Sequence, residues 1–415
     1  MDPSKIMKIQ RKLVLGLSGL PSLQSGVLVM VSVYCLLIVG CGTVPTRNPI
    51  PEDLANQAII PGIPKAWFWG DASPPWMEAW FDMSEEEIKT RYPGVYGKTH
   101  SYLAISGGGA NGAFSAGFLR GWTETGTRPE FTAVAGVSTG ALISPFAFLG
   151  SQYDATLQEI YTGVSTKDIL TKRNLLVGLT SDAMADTAPL LKLIQKYVTS
   201  EIRQALAAEF GRGRLLTVAT TNLDAGRPVI WNITRIAASD HPKALELIHK
   251  VLLASASIPV AFPPVFIEVE ANGQRYDELH VDGGGESQIY LYPLGLDWGK
   301  VVKKLNVQGT PGVYLLRNAR LNSDWQTVEP TVTKIANRTI GSLIRTQGIG
   351  DMYRVYLGVK RDGLDYHLAY IPDTFTEKPN EPFDREYMTK LFDLGYRQAK
   401  EGGSWRKFPP GAELE

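Results

Sequence analysis

Cysteine is nearly absent. The chain of 415 residues holds two, Cys35 and Cys41, both in an apolar N-terminal segment. Nothing after Cys41 can form a disulfide or a thiolate metal site, so disulfides do not distinguish an oxidising compartment from a reducing one. Excess charge is absent as well: Lys+Arg and Asp+Glu each number 42. No basic surplus points to nucleic acid, and no acidic tail points to a solvated interaction arm. Histidine is sparse, with five residues, which leaves few candidates for a general base. No internal repeat or low-complexity tract is visible, which excludes a solenoid. What remains is an ordinary globular composition, long enough for two domains or one large one.

The first 41 residues read as a processing segment. Lys5, Lys8, Arg11 and Lys12 form a basic start, and a compact apolar run from Val27 to Val39 ends at Gly40-Cys41. A basic n-region, a short h-region and a small residue at the cut site make a secretory signal. The compact run is shorter than the ~20 residues of a spanning helix, although the weak upstream part would supply the length for an anchor. Leu37-Ile38-Val39-Gly40-Cys41 resembles a bacterial lipoprotein lipobox, in which the cysteine is lipidated and becomes the mature N-terminus. Gly42 stands where inner-membrane retention often uses aspartate, so a Gram-negative source implies the outer membrane. The expected location is the cell envelope, lipid-anchored.

Residues 42–100 begin rich in proline and read as a tether. Trp67, Trp69, Trp76, Trp80 and Phe81 are too aromatic for a free linker. They are expected to pack as a strap on the core; an interfacial membrane patch is the alternative. From residue 101 to about 400, strands alternate with helices, and residues 401–415 form a tail. The alternation argues for an α/β domain with a largely parallel sheet. Helices are expected over Ala113–Thr125, Ala141–Leu149, Asp154–Tyr161, Ala183–Val198, Glu201–Phe210, Pro242–Ala256, Thr331–Gly358 and Asp384–Glu401. Strands are expected over Ser101–Ser106, Phe131–Ala135, Leu215–Thr221, Pro228–Ile233, Val265–Val269, Gln274–Val281, Gly312–Leu316 and Tyr366–Ile371. Asn272-Gly273 is a strong hairpin signal between the fifth and sixth of these strands.

Two glycine-rich turns carry chemistry. Gly136-Val137-Ser138-Thr139-Gly140 joins an apolar strand to an apolar helix, the sequence form of a nucleophile elbow. Flanking glycines remove the Cβ atoms that so tight a turn would crowd. The serine then faces a helix start, where backbone N–H groups and the dipole favour negative charge. Gly107-Gly108-Gly109-Ala110-Asn111-Gly112 follows the first core strand. A dinucleotide fingerprint would need an acid ending the next strand, but that strand ends in the elbow; a Walker loop would need Gly-Lys-Ser/Thr. The loop reads better as an oxyanion site, since bare amides approach a substrate oxygen closely.

A serine nucleophile needs a base. His100 lies at the wrong end of the first strand, and His241 and His249 belong to a helix region. His367 sits in a late strand without a loop signature. His280 and Asp282, two apart in a strand, share a face. The other option is Asp282 itself, at a strand's C-terminal end, where open α/β sheets place their sites. Burial would raise its pKa from near 3.9 and make it a better proton acceptor.

Four blocks in this order resemble the patatin-like phospholipase family: Gly107–Gly112, Gly136–Gly140, Ala254-Ser255-Ala256-Ser257-Ile258-Pro259-Val260-Ala261-Phe262-Pro263-Pro264, and Asp282-Gly283-Gly284. The resemblance covers about residues 101–400. It implies a three-layer α/β/α fold with a mostly parallel central sheet, and a Ser–Asp dyad of nucleophile Ser138 and base Asp282. It further implies an oxyanion hole at Gly107, Gly108 and Gly109, with Gly112, Gly136, Gly140, Gly283 and Gly284 completing the motifs. The implied reaction is ester hydrolysis on lipids with no metal or other cofactor. Many members carry a basic residue in the glycine loop, where this chain has Asn111, and aspartate where it has Ser106. The competing reading is a lipoprotein that carries acyl chains without cleaving them.

Overall fold

The computed structural model describes residues 47–172, 183–323, 325–402 and 405–412. The expected signal segment, with Cys41, lies outside the described residues. No helix among those described is long and apolar enough to cross a membrane.

A nine-stranded mixed sheet forms the middle layer. Its strands are β1 (Trp67–Trp69), β2 (Ser101–Ile105), β3 (Ala133–Val137), β4 (Leu215–Asn222), β5 (Arg227–Asn232), β6 (Val265–Ala271), β7 (Gln274–Asp282), β8 (Gly312–Arg317) and β9 (Asp365–Tyr370). Five run parallel in the order β4-β3-β2-β8-β9. β5 pairs antiparallel with β4, and β1 closes that edge antiparallel to β5. The parallel strands are apolar on both faces, as strands covered by helices on both sides must be. Leu103 and Ile105 look one way and Tyr102 and Ala104 the other, and all four are buried.

One face is covered by α3 (Gly112–Glu124), α4 (Thr139–Leu149) and α11 (Arg385–Lys400), with α5 (Asp154–Gly163), α6 (Ala188–Tyr197), α7 (Ser200–Gly211) and α8 (Ala244–Ser255) around them. The tightest helix pair is α3 with α11. Gly117 and Gly121 lie directly against backbone carbonyls of Phe392 and Tyr396, where any Cβ would overlap them. The other face receives the inner half of α10 (Val332–Arg361), through Met352, Val355 and Val359. Beside it lie α9 (Trp298–Lys304), α1 (Met77–Phe81) and α2 (Glu85–Arg91). The result is the expected three-layer α/β/α fold with a mostly parallel sheet.

Several boundaries move. The strand read over Phe131–Ala135 lies at Ala133–Val137 and runs straight into Ser138, while Phe131 packs below it against Trp122. The helix read from Ala183 starts at Ala188, because Ala185–Asp186 pair instead with Thr171–Lys172 and Asp186 accepts the Ala188 N–H. Pro145 lies inside α4, in its interior. Trp67 and Trp69 form an added edge strand, with Trp67 buried in the core.

One join sets the functional geometry. β3 pairs with the first five residues of β4 and ends with Val137 opposite Ala219. β7 arrives antiparallel on the same edge and takes the next three, with Asp282 opposite Thr220. The two strands meet head to head. Ser138, one residue past β3, therefore faces Asp282, the last residue of β7.

Candidate active site

Ser138 sits at φ 54°, ψ −124°, between β3 and α4. A non-glycine residue at positive φ costs about 1–3 kcal/mol and persists only where its surroundings enforce it. Here they do. Gly140 lies against the carbonyls of Ile105 and Ser106, with no room for a Cβ, and Gly136 packs as closely on the backbone of Gly140 and Ala141. The Ser138 carbonyl accepts the N–H groups of Ala141 (2.9 Å) and Leu142 (3.3 Å), starting α4. The Ser138 N–H donates to the Ser255 hydroxyl (3.0 Å), which itself donates to the Ala219 carbonyl (2.7 Å). Ser255 is fully buried. It ties the elbow to the β4 residue where β3 ends.

Asp282 is held from both sides. Its N–H donates to the Ser257 carbonyl (2.9 Å), and its own carbonyl accepts the Thr221 hydroxyl (3.0 Å). Its Oδ1 accepts the Gly284 N–H (2.7 Å), and the nearby Ser138 hydroxyl favours its ionised form. Gly283 abuts the Ala219 carbonyl too closely for a Cβ. Ser138 and Asp282 are 7 % and 5 % exposed. Burial pushes the Asp282 carboxyl up to about 6, against the opposing pull of the Ser138 and Gly284 hydrogen bonds.

The glycine loop comes alongside. Gly107 lies next to Ser138, and a Cβ there would sit 3.2 Å from the Ser138 Cβ. The Gly107 amide is already engaged, donating to the Gln288 carbonyl (3.2 Å). This corrects the expectation of three oxyanion donors. The Gly108 and Gly109 amides have no partner among the described residues. Gly108, at φ 154°, is packed so tightly on Asn318 that a Cβ would overlap it. Asn318, fully buried at the end of β8, fixes the loop. Its N–H donates to the Ser106 hydroxyl (2.8 Å), its Nδ2 donates to the Ser106 carbonyl (2.9 Å), and its Oδ1 accepts the Ser115 hydroxyl (2.6 Å). Ser106 thus joins a neutral network at the aspartate position of the resemblance. Asn111 accepts the Tyr387 hydroxyl (2.7 Å), which ties the loop to α11.

The histidines are all occupied elsewhere. His280 Nδ1 meets the Thr220 hydroxyl (2.9 Å) and its Nε2 meets Glu278 (3.1 Å). The Trp231 indole N–H donates to that Thr220 hydroxyl (2.8 Å). His100 contacts Tyr102 and Val95, His249 contacts Val198, and His367 lies between Asp365 and Lys407. The His241 ring accepts the Lys243 N–H. None has Ser138 as a partner.

A sequence model of the patatin-like phospholipase family matches residues 103–292, the span that holds both glycine turns, Ser138 and Asp282. Residues 103–292 are a patatin-like phospholipase domain. A match to this family supports lipid acyl hydrolysis in general. Among solved structures, VipD from Legionella pneumophila is 13 % identical with a TM-score of 0.35, the match covering 73 % of this chain and 67 % of that one. Full-length ExoU from Pseudomonas aeruginosa, solved in complex with full-length SpcU, is 13 % identical with a TM-score of 0.31, covering 75 % of this chain and 52 % of that one. No curated protein matches the chain.

Two residues around this site, Ser255 and Asn318, escape sequence reasoning. Ser255 lies in the third block but carries no chemistry of its own. Asn318 lies outside the matched span and has only one signal, a polar residue at the end of an apolar parallel strand.

Proposed function

We propose that the chain is a serine hydrolase of lipid carboxylic esters working through a Ser138–Asp282 dyad. The observation that carries this is the pairing of a hydroxyl held at positive φ with a buried carboxylate whose pKa is pushed to about 6. Such a carboxylate accepts a proton far better than an exposed aspartate and still ionises near neutrality. Asp282 takes the Ser138 proton as Oγ bonds to the ester carbonyl carbon. The carbonyl oxygen becomes an oxyanion facing the Gly108 and Gly109 amides, where one such donor is typically worth ~3–4 kcal/mol. The intermediate collapses, the C–O bond to the alcohol breaks, and Asp282 returns the proton to the leaving oxygen. Water, deprotonated by Asp282, then releases the acyl group as a fatty acid and restores Ser138.

A membrane lipid substrate suits the setting. The outer half of α10 stands away from the body with Val332, Ile335, Ile340, Leu343 and Ile344 exposed. At its inner end, Gln347 reaches the Gly285 carbonyl (3.4 Å), three residues from the base. Lipidation at Cys41 would hold the domain at the envelope, on the outer membrane in a Gram-negative cell. Unchanged radiolabelled-palmitate incorporation in Cys41→Ala would remove that anchor.

The test of the dyad is fluorophosphonate labelling with p-nitrophenyl ester turnover. Wild type should label at Ser138 and show an acyl-enzyme burst, and Ser138→Ala should do neither. A folded wild type that neither labels nor turns over any ester would leave the acyl-carrier reading in its place.

A further inference from the structure

We infer that the chain carries a second lipid site, remote from Ser138, that binds a long-chain fatty acid by its carboxylate. A cavity of about 810 Å³ lies against the sheet face opposite α3 and α4. It is within the ~300–1,000 Å³ of small-molecule sites. Neither Ser138 nor Asp282 lines it. Its floor is the N-terminal half of β3 and β4, at Ala133, Ala135 and Thr217, so it is offset along the strands from the dyad at their far ends. At ~3.3 Å per residue, Ala133 is about 16 Å of strand from Ser138.

The cavity exists because small side chains meet an incomplete cover. Ala133, Ala135 and Thr217 occupy one face in register, and no long helix lies over them. The roof is instead the aromatic strap and α9, with Phe68, Trp76, Trp80 and Trp298 lining an apolar interior. Flat aromatic walls over small residues suit a methylene chain.

One end is cationic. Arg235, half-buried, lies over the Phe210 ring (5.0 Å), and its guanidinium has no ion-pair or hydrogen-bond partner among the described residues. Arg91 shares that lining, and its guanidinium donates to the Met83 sulfur (3.7 Å). Both guanidiniums act electrostatically on the Tyr92 phenol. Tyr92 accepts the Trp80 indole N–H (2.7 Å), which leaves its own proton to donate. Glu87 also lines the rim, but its carboxylate is committed to the Ser84 capping box. A half-buried guanidinium without an anion is costly unless one is supplied. Two guanidiniums and a phenol proton at the end of an apolar chamber match a carboxylate with one alkyl chain.

This site does not depend on the dyad, so it is tested in the Ser138→Ala protein. Displacement of a dansyl-labelled undecanoate is measured with oleate and with methyl oleate. Oleate should displace the probe at low micromolar concentration. Arg235→Gln should weaken oleate at least tenfold and leave methyl oleate within twofold. Ala133→Phe, which fills the floor, should weaken both at least tenfold. Oleate affinity unchanged in a folded Arg235→Gln protein, or no displacement in the parent, overturns the inference. Loss of labelling at Ser138 in wild type would overturn the proposed reaction alone.

Discussion

Asp282→Asn should give an inactive protein that is more stable than wild type at alkaline pH. The folded state raises the Asp282 carboxyl from the usual 3.8 to about 6, so native protein holds this proton more tightly than unfolded chain does. The sign follows from linkage. The contribution is fully present below about 3.8 and is lost as pH rises through about 6. Above that, wild type keeps a buried carboxylate ionised at a cost of about 3 kcal/mol relative to its protonated form. Asparagine has the same shape, can accept the Gly284 N–H, and carries no charge. It should therefore raise the unfolding free energy by about 3 kcal/mol at pH 8, with about half of that gap closed at pH 5. Urea unfolding at pH 5 and pH 8 reads this directly. Activity supplies the other half, because the base works only when ionised. Wild-type kcat/KM should fall tenfold per pH unit below about 6, and the variant should be inactive throughout. A stability gap equal at both pH values, or a variant less stable at pH 8, would refute the assignment of Asp282 as a desolvated base.

Ser255→Ala strands the Ser138 N–H and the Ala219 carbonyl, each at about 1–3 kcal/mol. It should lower kcat at least tenfold on p-nitrophenyl butyrate with KM little changed, and an unaltered kcat would remove Ser255 as a positioning residue. Asn318→Ala should loosen the glycine loop, costing about 2–3 kcal/mol in urea unfolding and lowering kcat for ester cleavage. His280→Ala should lower stability by about 3 kcal/mol, because it leaves Glu278 buried without its partner, yet retain most activity once folded. His367→Ala should be silent in the same assay. Ile340→Asp with Leu343→Asp should cut hydrolysis of phospholipid vesicles at least tenfold while p-nitrophenyl butyrate turnover is unchanged; equal losses on both would detach α10 from lipid contact.

What was legible in the chain was whatever local geometry forces onto residue type. Gly136 and Gly140 are required where backbone meets backbone, Asn272-Gly273 where a hairpin turns, and the apolar runs where strands are covered on both faces. The largely parallel sheet followed from that patterning. What stayed hidden was chosen across long sequence gaps. Ser255 reaches Ser138 over 117 residues, and Asn318 reaches Ser106 over 212. A buried serine or asparagine in an apolar setting looks the same whether it anchors an elbow or satisfies an ordinary carbonyl. The Gly107 amide was misjudged for a related reason, since its partner is a backbone carbonyl at Gln288, about which side chains say nothing. His280 looked eligible by spacing alone, and only the Thr220 and Glu278 contacts show where its two nitrogens go.

The head-to-head join of β3 and β7 on β4 also orders events in time. A chain made from its N-terminus completes the glycine loop and the serine elbow long before residues 265–282 exist. Until that hairpin docks on the edge of β4, Ser138 lacks its proposed base. A nascent or truncated chain is then chemically mute, whatever membrane it touches. On the proposed dyad, reactivity waits for the pairing of β7 with β4, so one strand contact both extends the sheet and arms the nucleophile.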